Sequence, residues 1–134
     1  MKKILLVLLC LTLLFSATSC GIRYISSYKA LGLVRSAMGD HGIVKFSMLD
    51  GTLVLNLRMS GPVDQGQIHY AAFLEEGELN VYYDASGTKE LLFNIQAGER
   101  IDDLDGYVEG GNRVYIIIET VTPAKGSVEI DLRK

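Results

Sequence analysis

Leu53-Val54-Leu55-Asn56-Leu57-Arg58-Met59 places an apolar side chain at every odd position, with Val54, Asn56 and Arg58 between them. Successive side chains of an extended chain point to opposite faces, so this heptapeptide reads as a strand with one face in a core. The same alternation returns at Ile68-Tyr70-Ala72-Leu74, Leu79-Val81-Tyr83 and Leu91-Phe93-Ile95. It closes the chain at Val114-Ile116-Ile118 and Val128-Ile130-Leu132. One apolar face and one mixed face per run is the pattern of half-buried antiparallel strands. Turns are expected at the glycines of Leu49-Asp50-Gly51, Glu75-Glu76-Gly77, Ala85-Ser86-Gly87 and Glu109-Gly110-Gly111-Asn112. Short strands so spaced predict an all-β antiparallel sandwich or barrel. A parallel sheet needs crossover helices of a dozen residues, and no segment after Gly42 has room for one.

Upstream of Ile43 the pattern blurs. Tyr24, Tyr28, Leu31 and Met38 fall near helical spacing, while Leu31 and Leu33 alternate as in a strand. Gly32 and Val34 weaken a helix there. Residues 24–38 are left open between the two.

The whole chain has 134 residues, 49% of them hydrophobic and 22% charged, with a net charge of −3. That length suits one domain, and that composition a folded one. The apolar excess is concentrated at the start. Lys2 and Lys3 precede an apolar run from Ile4 to Leu11, continued after Thr12 by Leu13, Leu14 and Phe15. Small residues follow at Ser16-Ala17-Thr18-Ser19, before Cys20. A basic start, a short apolar core and small residues before a cut describe a secretory signal peptide. The core falls short of the roughly 20 residues that a bilayer-spanning helix needs.

Ala17-Thr18-Ser19-Cys20 resembles the lipobox of bacterial lipoproteins, with Ala17 where Leu is usual. The resemblance implies that residues 1–19 are removed and that the Cys20 thiol carries a diacylglyceryl group. Residues 20–42 are then a lipidated tether with the undecided first element, and residues 43–134 the β-sandwich domain. Two acyl chains make a stable anchor at about 0.8 kcal/mol per buried CH₂. The expected location is the extracytoplasmic face of a cell membrane or outer membrane, with the lipid bilayer as first partner. Cys10 is discarded and Cys20 blocked, so no disulfide, thiolate metal site or cysteine nucleophile remains. Eleven basic against 16 acidic side chains are left, a net charge of −5, which disfavours nucleic acid as a partner.

The final stretch, Arg113-Val114-Tyr115-Ile116-Ile117-Ile118-Glu119-Thr120 followed by Gly126-Ser127-Val128-Glu129-Ile130-Asp131-Leu132, resembles the last hairpin of small secreted jelly-roll-like domains. That likeness covers residues 44–132 as a pattern. It implies a jelly-roll-like antiparallel β-sandwich and no particular activity.

Reaction motifs are scarce. His41 and His69 stand 28 positions apart without ligand spacing. His41 is expected in a solvated turn, and His69 on the less apolar face of a strand. No nucleophile elbow, phosphate loop or dinucleotide fingerprint occurs. Glu99, Asp102, Asp103 and Asp105 form an acidic stretch whose hard oxygen donors suit Ca²⁺, although its spacing is not that of an EF-hand. The plainer reading is a solvated acidic connection before Val114. Tyr82 and Tyr83 must face opposite sides, and Tyr82, Tyr107 and Tyr115 are candidates for an aromatic binding surface. The sequence therefore predicts a non-enzymatic envelope module that binds a glycan or a protein. The alternative is a small envelope hydrolase or its accessory module, with the Glu75-Glu76-Gly77-Glu78 carboxylates as its only material.

Overall fold

The computed structural model describes residues 24–59, 65–109 and 113–133. The expected signal peptide and Cys20 lie outside the described residues. Seven strands follow one another among the described residues: β1 (Ser27–Leu31), β2 (Val34–Met38), β3 (His41–Arg58), β4 (Gln65–Asp84), β5 (Glu90–Gln96), β6 (Arg100–Glu109) and β7 (Arg113–Arg133). Every pairing is antiparallel. The open stretch before Ile43 resolves as strand: β1 and β2 both pair with β3.

The three long strands β3, β7 and β4 run side by side and all bend at one level. Register shifts mark the bend between Phe46 and Thr52 of β3 and between Leu74 and Leu79 of β4. The bend divides the sheet into two layers. Layer one runs β2-β3-β7-β4-β6 and uses His41–Phe46, Gly126–Arg133 and Gln65–Leu74 of the long strands. Layer two runs β1-β3-β7-β4-β5 through their other halves. With each half counted as a strand, this is the jelly-roll order with one extra edge strand per layer.

Two expected turns are therefore corners inside strands. Gly51 and Gly77 have φ of 125° and 84°, a region that L side chains avoid, and both sit at the bend. A Cβ on Gly77 would stand 2.2 Å from the Pro123 carbonyl oxygen, so only glycine lets β4 and β7 approach this closely. Thr120 Oγ1 accepts from Gly51 N–H at 2.7 Å and donates to Gly51 C=O at 3.3 Å, fastening β3 to β7 at its corner. The expected last hairpin is likewise one bent strand, β7. Its two halves lie between β3 and β4 and do not pair with each other. Pro123 and Gly126 mark a bend, although they read as a loop in sequence.

The layers close on the alternating residues. Val44, Ile68, Tyr70, Leu74, Val128 and Ile130 of layer one meet Leu53, Leu55, Leu57, Val81, Ile95, Ile116 and Ile118 of layer two, all buried. Tyr70 and Phe93 stack across the gap at 4.6 Å. Each fully buried Leu or Ile contributes about 1.5–3 kcal/mol. One predicted core residue is misplaced: Leu91 is 57% exposed. A bulge between Val81 and Tyr82 puts Tyr82 opposite Leu91 and Val81 opposite Phe93, turning Leu91 outward and leaving Leu92 buried.

Among the described residues no helix is long and apolar enough to cross a membrane.

Candidate functional site

The chemistry collects on the outer face of layer one. Strand register sets the rows. His41 of β3 pairs with Asp131 of β7, which pairs with His69 of β4. The next row of that face joins Ile43, Glu129, Ala71 and Asp102. A third joins Lys45, Ser127, Phe73 and Arg100. Inner-face neighbours of these residues fill the core, so the outer set is held by rigid strands.

The first two rows hold a chain of ionisable groups. Asp102 Oδ1 accepts from His69 Nε2 at 2.7 Å. The other ring nitrogen, His69 Nδ1, is buried without a hydrogen-bond partner and faces Asp131 Oδ2 at 3.6 Å. Asp131 Oδ1 is hydrogen-bonded to His41 Nδ1, and His41 Nε2 lies 3.9 Å from Glu129 Oε1. That bond to Asp131 lifts the His41 imidazole above its ordinary range. Partial burial opposes the rise, while the charges of Asp131, Glu129 and Asp40 add to it.

The lower rows form a shallow groove. Ile43, Lys45, Ala71, Phe73, Arg100 and Glu129 are among the residues that enclose about 300 Å³. A second hollow of about 360 Å³ shares Lys45, Phe73 and Ser127 with it and continues past Glu75 and Lys125. The Arg100 guanidinium lies 4.8 Å from the Phe73 ring centre, and Lys125 Nζ pairs with Glu75 Oε2 at 3.0 Å. Apolar CH surface thus alternates with groups that donate and accept hydrogen bonds.

The residues singled out in sequence are dispersed. Asp102, Asp103 and Asp105 sit on strand β6, not in a connection, and Glu99 just precedes it. A period of two sends Asp102 to His69 on the outer face. Asp103 and Asp105 pair opposite Tyr70 and Ile68 and raise the Tyr70 phenol pKa, second to its burial. Each of these two also accepts from the next backbone N–H, Leu104 at 2.8 Å and Gly106 at 2.7 Å. Among the described residues, three ligand-type atoms converge within 4.8 Å at His41, Glu129 and Asp131, not in the acidic stretch. Tyr83 is in the core, whereas Tyr82 faces outward on layer two with Lys89 Nζ 4.4 Å from its ring centre. Tyr115 shares that face, its ring 5.3 Å from that of Tyr24. Tyr107, 55% exposed, belongs to β6 of the other layer, so the three tyrosines do not make one surface.

His41 opens strand β3, one residue beyond the turn in which its sequence setting placed it. Its meeting with His69 was not visible in sequence, because the two join only through Asp131 on a strand between them. Period two does assign Asp131, Glu129 and His69 to outward positions. Only the β3-β7-β4 order makes them neighbours.

No protein-family model matches the chain. No curated protein matches it either. Among solved structures, a mutant of CBM29-2, a family 29 carbohydrate-binding module complexed with mannohexaose, is 18% identical, covers 79% of this chain and 77% of that one, and has a TM-score of 0.42. Another family 29 carbohydrate-binding module gives 16% identity, coverages of 85% and 80%, and a TM-score of 0.40. Vicilin from Corylus avellana (hazelnut) is 13% identical over 79% of this chain and 30% of its own, with a TM-score of 0.29. At such identities and scores the likeness bears on neither ligand nor residues.

Proposed function

We propose that this chain is a lipid-anchored, non-catalytic binding module of the cell envelope, and that the layer-one groove takes a hydroxyl-rich polymer, a glycan. One observation carries the reading: an open groove crosses a rigid sheet face, floored by Ile43, Glu129, Ser127, Ala71 and Phe73 and flanked by Lys45 on one side and Arg100 on the other. Sugar rings present CH surface to apolar side chains and hydroxyls to charged ones, which matches that alternation. Its open ends suit a chain better than a small molecule.

The anchor rests on the lipobox-like Ala17-Thr18-Ser19-Cys20. Ile25, Leu31, Val34 and Met38, all exposed, lie in the segment that follows Cys20, which suits a surface held close to lipid.

Binding of the purified full chain to a panel of envelope polysaccharides tests the ligand class. Saturable binding to at least one, competed by its soluble oligosaccharide, is expected. Labelling cells with an alkyne fatty acid tests the anchor, and Cys20→Ser is expected to abolish incorporation. A labelled Cys20→Ser chain removes the anchor reading and leaves the groove untouched.

A further inference from the structure

We propose that Arg58 and Arg113, with Asn56, form a binding site for a phosphate group at the end of layer two.

Strand register brings the two cations together. Arg58 of β3 is the direct cross-strand partner of Arg113 of β7, so both side chains leave the same face, about 4.5–5.5 Å apart at Cβ. Asn56 and Tyr115 form the next row of that outer face, while Leu57 and Val114 between them are buried in the core. Both guanidinium groups stay charged at every working pH. Like charges directly opposite each other destabilise a strand pair. Among the described residues neither arginine has a carboxylate within ion-pair distance to offset that cost.

A hollow marks the place of the missing negative charge. Gly39, Asn56, Leu57, Arg58 and Arg113 line a space of about 310 Å³, and the two arginines are its only charged lining among the described residues. The Arg58 N–H donates to the Gly39 carbonyl at 2.7 Å, which fixes the turn that walls this space. The Asn56 side-chain amide adds neutral donors. One guanidinium fork occupies both oxygens of a carboxylate, whereas a phosphate has further oxygens for a second fork and an amide. The donor set therefore fits phosphate.

Phosphate reaches such a site from solution or from a lipid headgroup, and the position favours the headgroup. The Tyr24 ring packs on Tyr115, which lies two residues along β7 from Arg113, about 7 Å away. Cys20 stands four positions before Tyr24, within about 14 Å of fully extended chain. Met38, 77% exposed, adjoins Gly39 at the rim of the hollow. The headgroup source rests on the proposed anchor; the phosphate site itself does not, and neither depends on the glycan groove.

The test is calorimetric titration of the full chain, in uncharged polyoxyethylene detergent at constant ionic strength. The probes are sodium phosphate, glycerophosphoglycerol (the deacylated headgroup of phosphatidylglycerol) and sodium acetate. One phosphate group per chain is expected, with acetate about tenfold weaker or more. Arg58→Gln and Arg113→Gln should each weaken phosphate binding about tenfold or more. Lys29→Gln, an equal loss of charge on β1, should bind as the parent does. Without phosphate, both arginine variants should melt no lower than the parent, because each removes a repulsion. The phosphate–acetate contrast in the parent stands even if a variant misfolds. Tighter binding of glycerophosphoglycerol than of inorganic phosphate supports the site with a headgroup source, and the reverse order supports it with a soluble source. Absence of saturable binding by both phosphate probes overturns the site. So does acetate binding equal to phosphate, or parent-like affinity in both arginine variants.

Discussion

The Tyr24 phenol donates to the buried carboxylate of Asp84 at 2.7 Å, tying the start of the described chain to the end of β4 sixty positions away. The other carboxylate oxygen accepts from Ser86 N–H at 3.2 Å and Gly87 N–H at 2.7 Å, so one side chain shapes the β4–β5 turn and holds the N-terminal segment. Tyr24→Phe leaves that oxygen without its donor and should cost about 1.5–3 kcal/mol in urea unfolding. Asp84→Ala, which also frees the turn, should cost more.

The same contact sets an alkaline limit. Burial, then the hydrogen bond and charge of Asp84, push the Tyr24 phenol from 10.0 up to about 12. A phenol with a raised folded-state pKa holds its proton more tightly folded than unfolded. Its contribution is therefore whole below the unfolded value and is lost as pH rises toward about 12. Ultraviolet titration should show a latest tyrosinate transition that vanishes in Tyr24→Phe, while the raised phenols of Tyr70 and Tyr83 still titrate late. An unchanged titration in that variant contradicts the assignment.

Glycines at the corner and at the turn should respond differently to substitution. Gly77→Ala puts a Cβ 2.2 Å from Pro123 O at a φ of 84°. Strain of about 1–3 kcal/mol is expected from the dihedral alone, with the clash in addition. Gly87 has a φ of 98° and nothing within 4 Å of its would-be Cβ, so Gly87→Ala should show the dihedral cost only. Thermal unfolding of the two variants reads the difference directly.

Core truncations test the bulge at Val81/Tyr82. Ile116→Ala empties a fully buried position and should cost about 2–5 kcal/mol. Leu91→Ala, which the alternation alone would rank beside it, should stay within about 0.5 kcal/mol of the parent. Equal losses would mean that β5 pairs without the bulge.

These contrasts also show what the sequence could disclose. Burial of Leu53, Leu55, Leu57 and Met59 was legible because one buried face forces a period of two. The bend of β7 was not, since proline and glycine at Pro123–Gly126 mark a strand corner and a loop alike. Leu91 was misread because the extra residue Leu92 in β5 interrupts the alternation, so Leu91 faces opposite to Phe93 and Ile95. The groove and the His41–Asp131–His69 row depend on strand order, a long-range property. Residues 90 and 62 positions apart, His41 with Asp131 and His69 with Asp131, become neighbours there without any local signature.

The central claim is that the layer-one groove, and not the tyrosine face of layer two, binds a glycan. Calorimetric titration of the full chain and two variants with the polysaccharide retained by the parent tests it most directly. Phe73→Ala should weaken binding about tenfold or more, equivalent to about 1.4 kcal/mol, while Tyr82→Ala on the opposite layer should match the parent. Parent-like affinity in Phe73→Ala with loss in Tyr82→Ala would move the site to the other layer and contradict the account.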